Sequence, residues 1–121
     1  MSKIMIVDDN VDIVETLKTI MEMEGHITQI AYNGEEFLKK VGKLRPDLVL
    51  LDVMMPGIKT KDILIKLKEA GLDDIKIMII SVVRFSEEEE RILMDQYKIK
   101  DYVTKPFDVP DLVARVRNAL L

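Results

Sequence analysis

Leu48-Val49-Leu50-Leu51-Asp52 is the stretch that decides how this chain folds. Four aliphatic residues without polar alternation suit a strand buried on both faces, and the run stops at a carboxylate. Working outward, similar short runs occur at Lys3–Val7, Ile27–Ala31, Ile75–Ile80 and Asp101–Thr104. Helical spacing fills the intervals. Ile13, Leu17, Ile20 and Met21 carry the first apolar stripe, and Phe37, Leu38, Val41 and Leu44 the second. Ile63, Leu64, Leu67 and Ala70 form the third, and Ile92, Leu93 and Tyr97 the fourth. Leu112, Val113, Val116, Ala119 and Leu120 form the last.

Terminal signals agree with these elements. Asn33-Gly34-Glu35-Glu36 and Ser86-Glu87-Glu88-Glu89 read as capping boxes, in which a side-chain acceptor and a glutamate satisfy the first free N–H groups. Thr60 and Asp108 are the expected caps of the third and fifth helices, and Pro110 falls in the first turn of the fifth. Gly25 and Gly71 follow the first and third helices, where a left-handed glycine commonly ends the turn. Five strand–helix units in succession predict the α/β class: a doubly wound, five-stranded parallel sheet with right-handed crossovers, in three layers, α/β/α. Of the two common strand orders, 2-1-3-4-5 fits 121 residues and the six-stranded one does not. Residues 1–121 are therefore expected to form a single domain, with no internal repeat or linker.

Composition narrows the chemistry. Apolar residues make up 48%, enough for one packed core. The formal charge of −4 makes the domain a poor candidate for gripping a nucleic-acid backbone directly. Without cysteine there is no disulfide scaffold, thiolate zinc site, iron–sulfur cluster or thiol catalysis, and the single histidine, His26, excludes multi-histidine metal sites. The longest apolar run, Ile77 to Val83, is broken by Ser81, so no membrane span is expected. Asp8 and Asp9 follow Met1 too closely for a signal peptide, and a cytoplasmic location is expected.

Open α/β sheets bind ligands beyond the carboxyl ends of their strands, where the strand order reverses. The first strand ends in Asp8-Asp9, the third in Asp52, the fourth in Ser81 and the fifth in Thr104-Lys105-Pro106. Three carboxylates gathered at one rim repel and require a cation. Hard oxygen donors without histidine or cysteine select Mg²⁺, or Mn²⁺, over zinc. Three aspartates against one such dication and Lys105 bring the formal charge to zero, so a phosphoryl group can approach. A metal and a lysine flanking the transferred oxygens stabilise phosphoryl transfer, and a carboxylate can be the nucleophile. Asp52, central between the first-strand acids and the fourth strand, is the expected acceptor.

These residues, in this order, resemble the receiver domain of two-component response regulators over essentially the whole chain, with its flavodoxin-like fold. The resemblance is carried by Lys3-Ile4-Met5-Ile6-Val7-Asp8-Asp9-Asn10, by Pro46 through Gly57, by Ile79-Ile80-Ser81 and by Asp101 through Phe107. It implies that Asp9 and Asp52 bind Mg²⁺ directly, Asp8 through water, and the Met54 carbonyl as the remaining protein ligand. It implies that Asp52 takes a phosphoryl group from a sensor histidine kinase or a histidine phosphotransfer protein. Lys105 and Ser81 would hold the phosphoryl oxygens, and Ser81 movement would let Tyr102 turn inward. That switch would remodel the face of the fourth helix, fifth strand and fifth helix for a downstream protein target. The implied protein is a phosphoacceptor that assists its own phosphorylation and dephosphorylation rather than an enzyme. A Lys105-Pro106 cis peptide, and a monomer or a weak phosphorylation-dependent dimer, complete the picture.

Three positions depart from the family pattern. Thr60 stands where a glycine is usual, Val82 follows the fourth-strand hydroxyl where a small residue is usual, and Lys98-Ile99 replaces a common Gly-Ala pair. Val82 is expected to narrow access to the phosphoryl site. The alternatives are a Mg²⁺-dependent phosphatase with an aspartyl nucleophile, a flavodoxin-like electron carrier, a receiver cut from a DNA-binding regulator, and a receiver that binds partners without phosphorylation. A phosphatase usually needs a second acid where Met54 stands, and Asp8-Asp9 would repel a flavin phosphate. His26 reads as a surface residue, Glu87–Glu90 as a solvated helix start, and Arg115 and Arg117 as ordinary exposed charges. The methionines read mostly as core filler.

Overall fold

A computed structural model describes residues 2–121; Met1, first residue of the expected domain, lies outside the described residues. Five strands alternate with five helices: β1 (Lys3–Val7), α1 (Val11–Met23), β2 (Ile27–Ala31), α2 (Gly34–Leu44), β3 (Leu48–Leu51), α3 (Thr60–Glu69), β4 (Lys76–Ser81), α4 (Glu87–Gln96), β5 (Asp101–Thr104) and α5 (Val109–Leu120). All strand pairs are parallel and the order is β2-β1-β3-β4-β5, as the pattern of runs predicts. β4 begins one residue later than the apolar run because Ile75 belongs to the turn entering it, and Ser81 is its last residue.

Side chains alternate across a strand, so the sheet builds two cores. Met5, Val7, Val49, Leu51, Ile77 and Ile79 face one side, with Phe37 and Val41 of α2 and Ile63, Leu64 and Leu67 of α3. Ile4, Ile6, Leu48, Leu50, Met78, Ile80 and Val103 face the other, with Val14, Leu17 and Met21 of α1 and Leu112 and Val116 of α5. Burial of both faces explains why β1, β3 and β4 read as continuous apolar runs. Met5, Met21 and Met78 fill the core, whereas Met23, Met54 and Met94 are exposed.

Most helix ends follow their signals. Asn10, Asn33, Ser86 and Asp108 each accept a backbone N–H with the side chain, and Ser86 and Glu89 form a complete capping box. At α2 the box is incomplete, since Glu36 accepts from the Tyr32 N–H. The expected Thr60 cap is corrected: Lys59 occupies that position without a side-chain bond, and Thr60 opens the helix. Gly25 and Gly71 take positive φ, 86° and 72°. Lys98 also takes positive φ, 57°, where the common pattern has a glycine.

Candidate functional site

The parallel register aligns Val7 with Leu51 and Leu51 with Ile79, so the residues that follow emerge together at one rim. Asp8, Asp52 and Ser81 are buried there at 2%, 5% and 1% exposure, while Asp9 is exposed. One carboxylate oxygen from each of Asp8, Asp9 and Asp52 lies within 4.8 Å of the others. Lys105 arrives from the loop after β5 and places Nζ 2.7 Å from Asp8 Oδ2 and 3.5 Å from Asp52 Oδ2. The Lys105-Pro106 peptide is cis, as expected.

Local bonds fix the acids. Asp8 Oδ1 accepts the Asn10 N–H at 3.0 Å, and Asp52 Oδ1 accepts the Met54 N–H at 3.0 Å. These bonds tie each carboxylate to the backbone two residues beyond it. Burial raises the Asp8 pKa, against the lowering effects of its Lys105 and Asn10 hydrogen bonds; the neighbouring Asp52 adds to the rise. Two buried carboxylates thus share one ammonium, with a third acid at the mouth. An all-oxygen donor set carrying that excess of negative charge fits a hard divalent cation. Ser81 Oγ accepts the Val83 N–H at 3.3 Å, and the Ser81 carbonyl accepts the Lys105 N–H at 2.8 Å.

Tyr102 lies apart from the acids. Its hydroxyl donates to Glu90 on α4, and its ring meets Phe85 edge-on, with centroids 5.9 Å apart. Of the Glu87–Glu90 run, Glu87, Glu88 and Glu89 are exposed and Glu89 completes the expected capping box, but Glu90 is corrected: it is half-buried and holds Tyr102. Arg115 is likewise engaged. Its Nη1 bonds Asp101 and its Nε bonds Asp111, each at 2.9 Å, and Arg117 Nε bonds Glu24 at 3.0 Å. His26 is half-buried, its Nδ1 accepting from the Ser2 N–H at 3.4 Å. Sequence reasoning missed the Glu90 and Phe85 contacts with Tyr102; no local pattern announces a contact between helix and strand.

A doubly wound sheet with an acid triad and a lysine at its switch point defines a phosphoryl-transfer class of site. The model of the response regulator receiver domain matches residues 4–117, and the chain belongs to that family. It is 35% identical over 118 residues to the DNA-binding response regulator MtrA of Mycobacterium tuberculosis strain H37Rv, covering 98% of this chain and 50% of that protein. It is 33% identical to the CpxR homolog of Haemophilus influenzae over 120 residues, covering 99% and 51%. The chain spans about half the length of the curated relatives it matches. Among solved structures, the Francisella response regulator 1452 receiver domain superposes with a TM-score of 0.85 at 28% identity, covering 99% of this chain and 97% of that one. A two-component response regulator from Clostridium difficile shares the fold, with a TM-score of 0.87 at 24% identity over 99% and 96%. Receiver domains are phosphoacceptors in two-component signal transduction, and they typically bind Mg²⁺ at an acidic pocket. Among the described residues, no helix is long and apolar enough to cross a membrane.

Proposed function

We propose that Asp52 is the phosphoacceptor of this receiver and that the described residues act as one signalling unit. The observation that carries this reading is the meeting of the Asp8, Asp9 and Asp52 carboxylates within 4.8 Å, with the Lys105 ammonium between two of them. An Asp52 oxygen attacks the phosphorus of a phosphohistidine on a kinase or phosphotransfer protein. The new bond is Asp52 O–P; the P–N bond breaks and the imidazole nitrogen leaves with the electron pair. Asp8, Asp9, Asp52 and the Met54 carbonyl are the residues that would hold Mg²⁺. When bound, the cation neutralises charge on the transferred oxygens. Lys105 and Ser81 supply further donors to those oxygens, and hydrolysis of the acyl phosphate returns Asp52 to its free form.

A downstream protein reads the α4-β5-α5 face. Because MtrA is a DNA-binding regulator and the chain spans about half of it, a receiver that controls a separate DNA-binding region is a reading favoured by the comparison. Monomer–dimer exchange on phosphorylation and a cytoplasmic location belong to the same proposal. The test is incubation with Mg²⁺ and acetyl phosphate, followed by intact mass. One added phosphoryl group is expected. Its absence, or its survival in Asp52→Asn, would overturn the assignment.

A further inference from the structure

Helix α4 is held more lightly than its neighbours. None of its residues is fully buried, whereas α1, α2, α3 and α5 each bury three. Its apolar anchors, Leu93 and Tyr97, are only partly buried against the core. In its first turn, Glu90 accepts a hydrogen bond from the Tyr102 hydroxyl on β5. The Tyr102 ring meets Phe85 at an interplanar angle of 81°. Phe85 lies in the loop that leaves Ser81, and that loop is pinned by the Val83 N–H on Ser81 Oγ. The Ser81–Val83 bond, the short stretch of backbone from Val83 to Phe85, the Phe85–Tyr102 ring contact and the Tyr102–Glu90 bond therefore connect the end of β4 to α4.

On a helix with so little buried surface, one hydrogen bond to a carboxylate is a large share of the attachment, since charge-assisted bonds are the stronger ones. We propose that Glu90 is a positioning residue that holds Tyr102 and the first turn of α4 in the resting arrangement. Phosphorylation of Asp52 has to break this bond to remodel the α4-β5-α5 face. The inference rests on the phosphoacceptor reading of Asp52. A Ser81 hydroxyl drawn toward a phosphoryl oxygen loosens its bond to Val83, the loop carries Phe85 with it, and Tyr102 loses its edge contact. The Glu90 bond is what then remains to hold the tyrosine. A ligand shifts an equilibrium only by its difference in affinity for the two states, so the strength of this bond sets how much of that difference is consumed.

Glu90 also dominates the titration of the Tyr102 hydroxyl, raising it, while Arg84 and Arg115 act in the lowering sense. The test uses the chain carrying ζ-¹³C tyrosine, as Glu90→Ala, Glu90→Gln and the control Glu88→Ala. NMR follows the Tyr102 titration midpoint in the unmodified protein, and binding of beryllofluoride with Mg²⁺ reports the phosphorylated-like state. In Glu90→Ala the midpoint falls and beryllofluoride affinity rises about threefold to tenfold. Glu90→Gln shows smaller changes in the same directions, and Glu88→Ala shows neither. Unchanged values in Glu90→Ala, weaker beryllofluoride binding, or the same effect from Glu88→Ala would overturn the proposal. Failure of the unaltered chain to bind beryllofluoride would count against Asp52 as acceptor, and the Tyr102 midpoint alone would then decide whether Glu90 holds the tyrosine.

Discussion

The Lys105 ammonium lies 2.7 Å from the Asp8 carboxylate, across 97 residues of sequence, with both groups largely buried. Removing one partner of such a pair leaves an uncompensated charge inside the protein. Lys105→Met is therefore expected to destabilise the metal-free chain by about 3 kcal/mol, since breaking buried pairs costs about 3–5 kcal/mol and this one keeps some solvent contact. Urea denaturation in EDTA measures the loss. Mg²⁺ should stabilise Lys105→Met by more than it stabilises the unaltered chain, because the cation then compensates acids that the lysine no longer does; a simple packing defect would leave the two increments equal.

The Asp8 carboxyl gives a pH dependence of defined sign. Its pKa is raised in the folded state, chiefly by burial, above the ordinary value of 3.8. Between that ordinary value and the raised one the native state binds more protons than the unfolded state, so this group makes stability rise as pH falls. Above the raised value its charged form is a standing destabilisation. In EDTA, Asp8→Asn should be more stable relative to the unaltered chain near neutral pH than toward the acid end of that window. Thermal melts of both proteins across pH supply the difference; an unchanged difference would exclude this role for Asp8.

Mg²⁺ is expected to raise the melting temperature. A ligand that binds only the folded state at tenfold excess over its Kd contributes about 1.4 kcal/mol. For a domain of this size that is a shift of roughly 4–6 °C. Asp9→Asn and Asp52→Asn should each reduce the shift, as seen by calorimetry with and without the metal.

Lys98 holds a left-handed backbone conformation, φ 57°, which disfavours a side chain with a Cβ. Lys98→Gly should stabilise the chain by about 1 kcal/mol, at the low end of the cost of such strain. A higher urea midpoint with an unchanged slope would be the signature. No effect on phosphorylation by acetyl phosphate is expected.

Val82 follows Ser81 and is 57% exposed. If its branched side chain narrows the approach to Asp52, Val82→Ala should accelerate both phosphorylation by acetyl phosphate and loss of the phosphoryl group severalfold. Equal rates in the two proteins would reject that role.

Much of the fold is legible because burial on both faces leaves a local trace. β1 and β3 have the bounds of their apolar runs, and the stripes of α1, α2 and α5 mark the residues that pack on the sheet. The caps at Asn33, Ser86 and Asp108 work through neighbours three residues on, so they too are readable. Lys59 capping α3 without a side-chain bond is not, because its position comes from the path of the β3–α3 loop. Arg115 looks like a surface charge in sequence; the turn of α5 that brings it to Asp101 is a fact of packing.

By itself the sequence determined the strand–helix order and delivered Asp8, Asp9, Asp52, Ser81 and Lys105 to strand ends, since hydrophobic period and chain direction dictate both. Tertiary structure alone decided which groups touch. It set Lys105 between Asp8 and Asp52, turned Ser81 toward Val83, and gave Tyr102 to Glu90. The physical reason is range: periodicity and capping act over a few residues, whereas these pairings depend on sheet register and on how each helix seats against it.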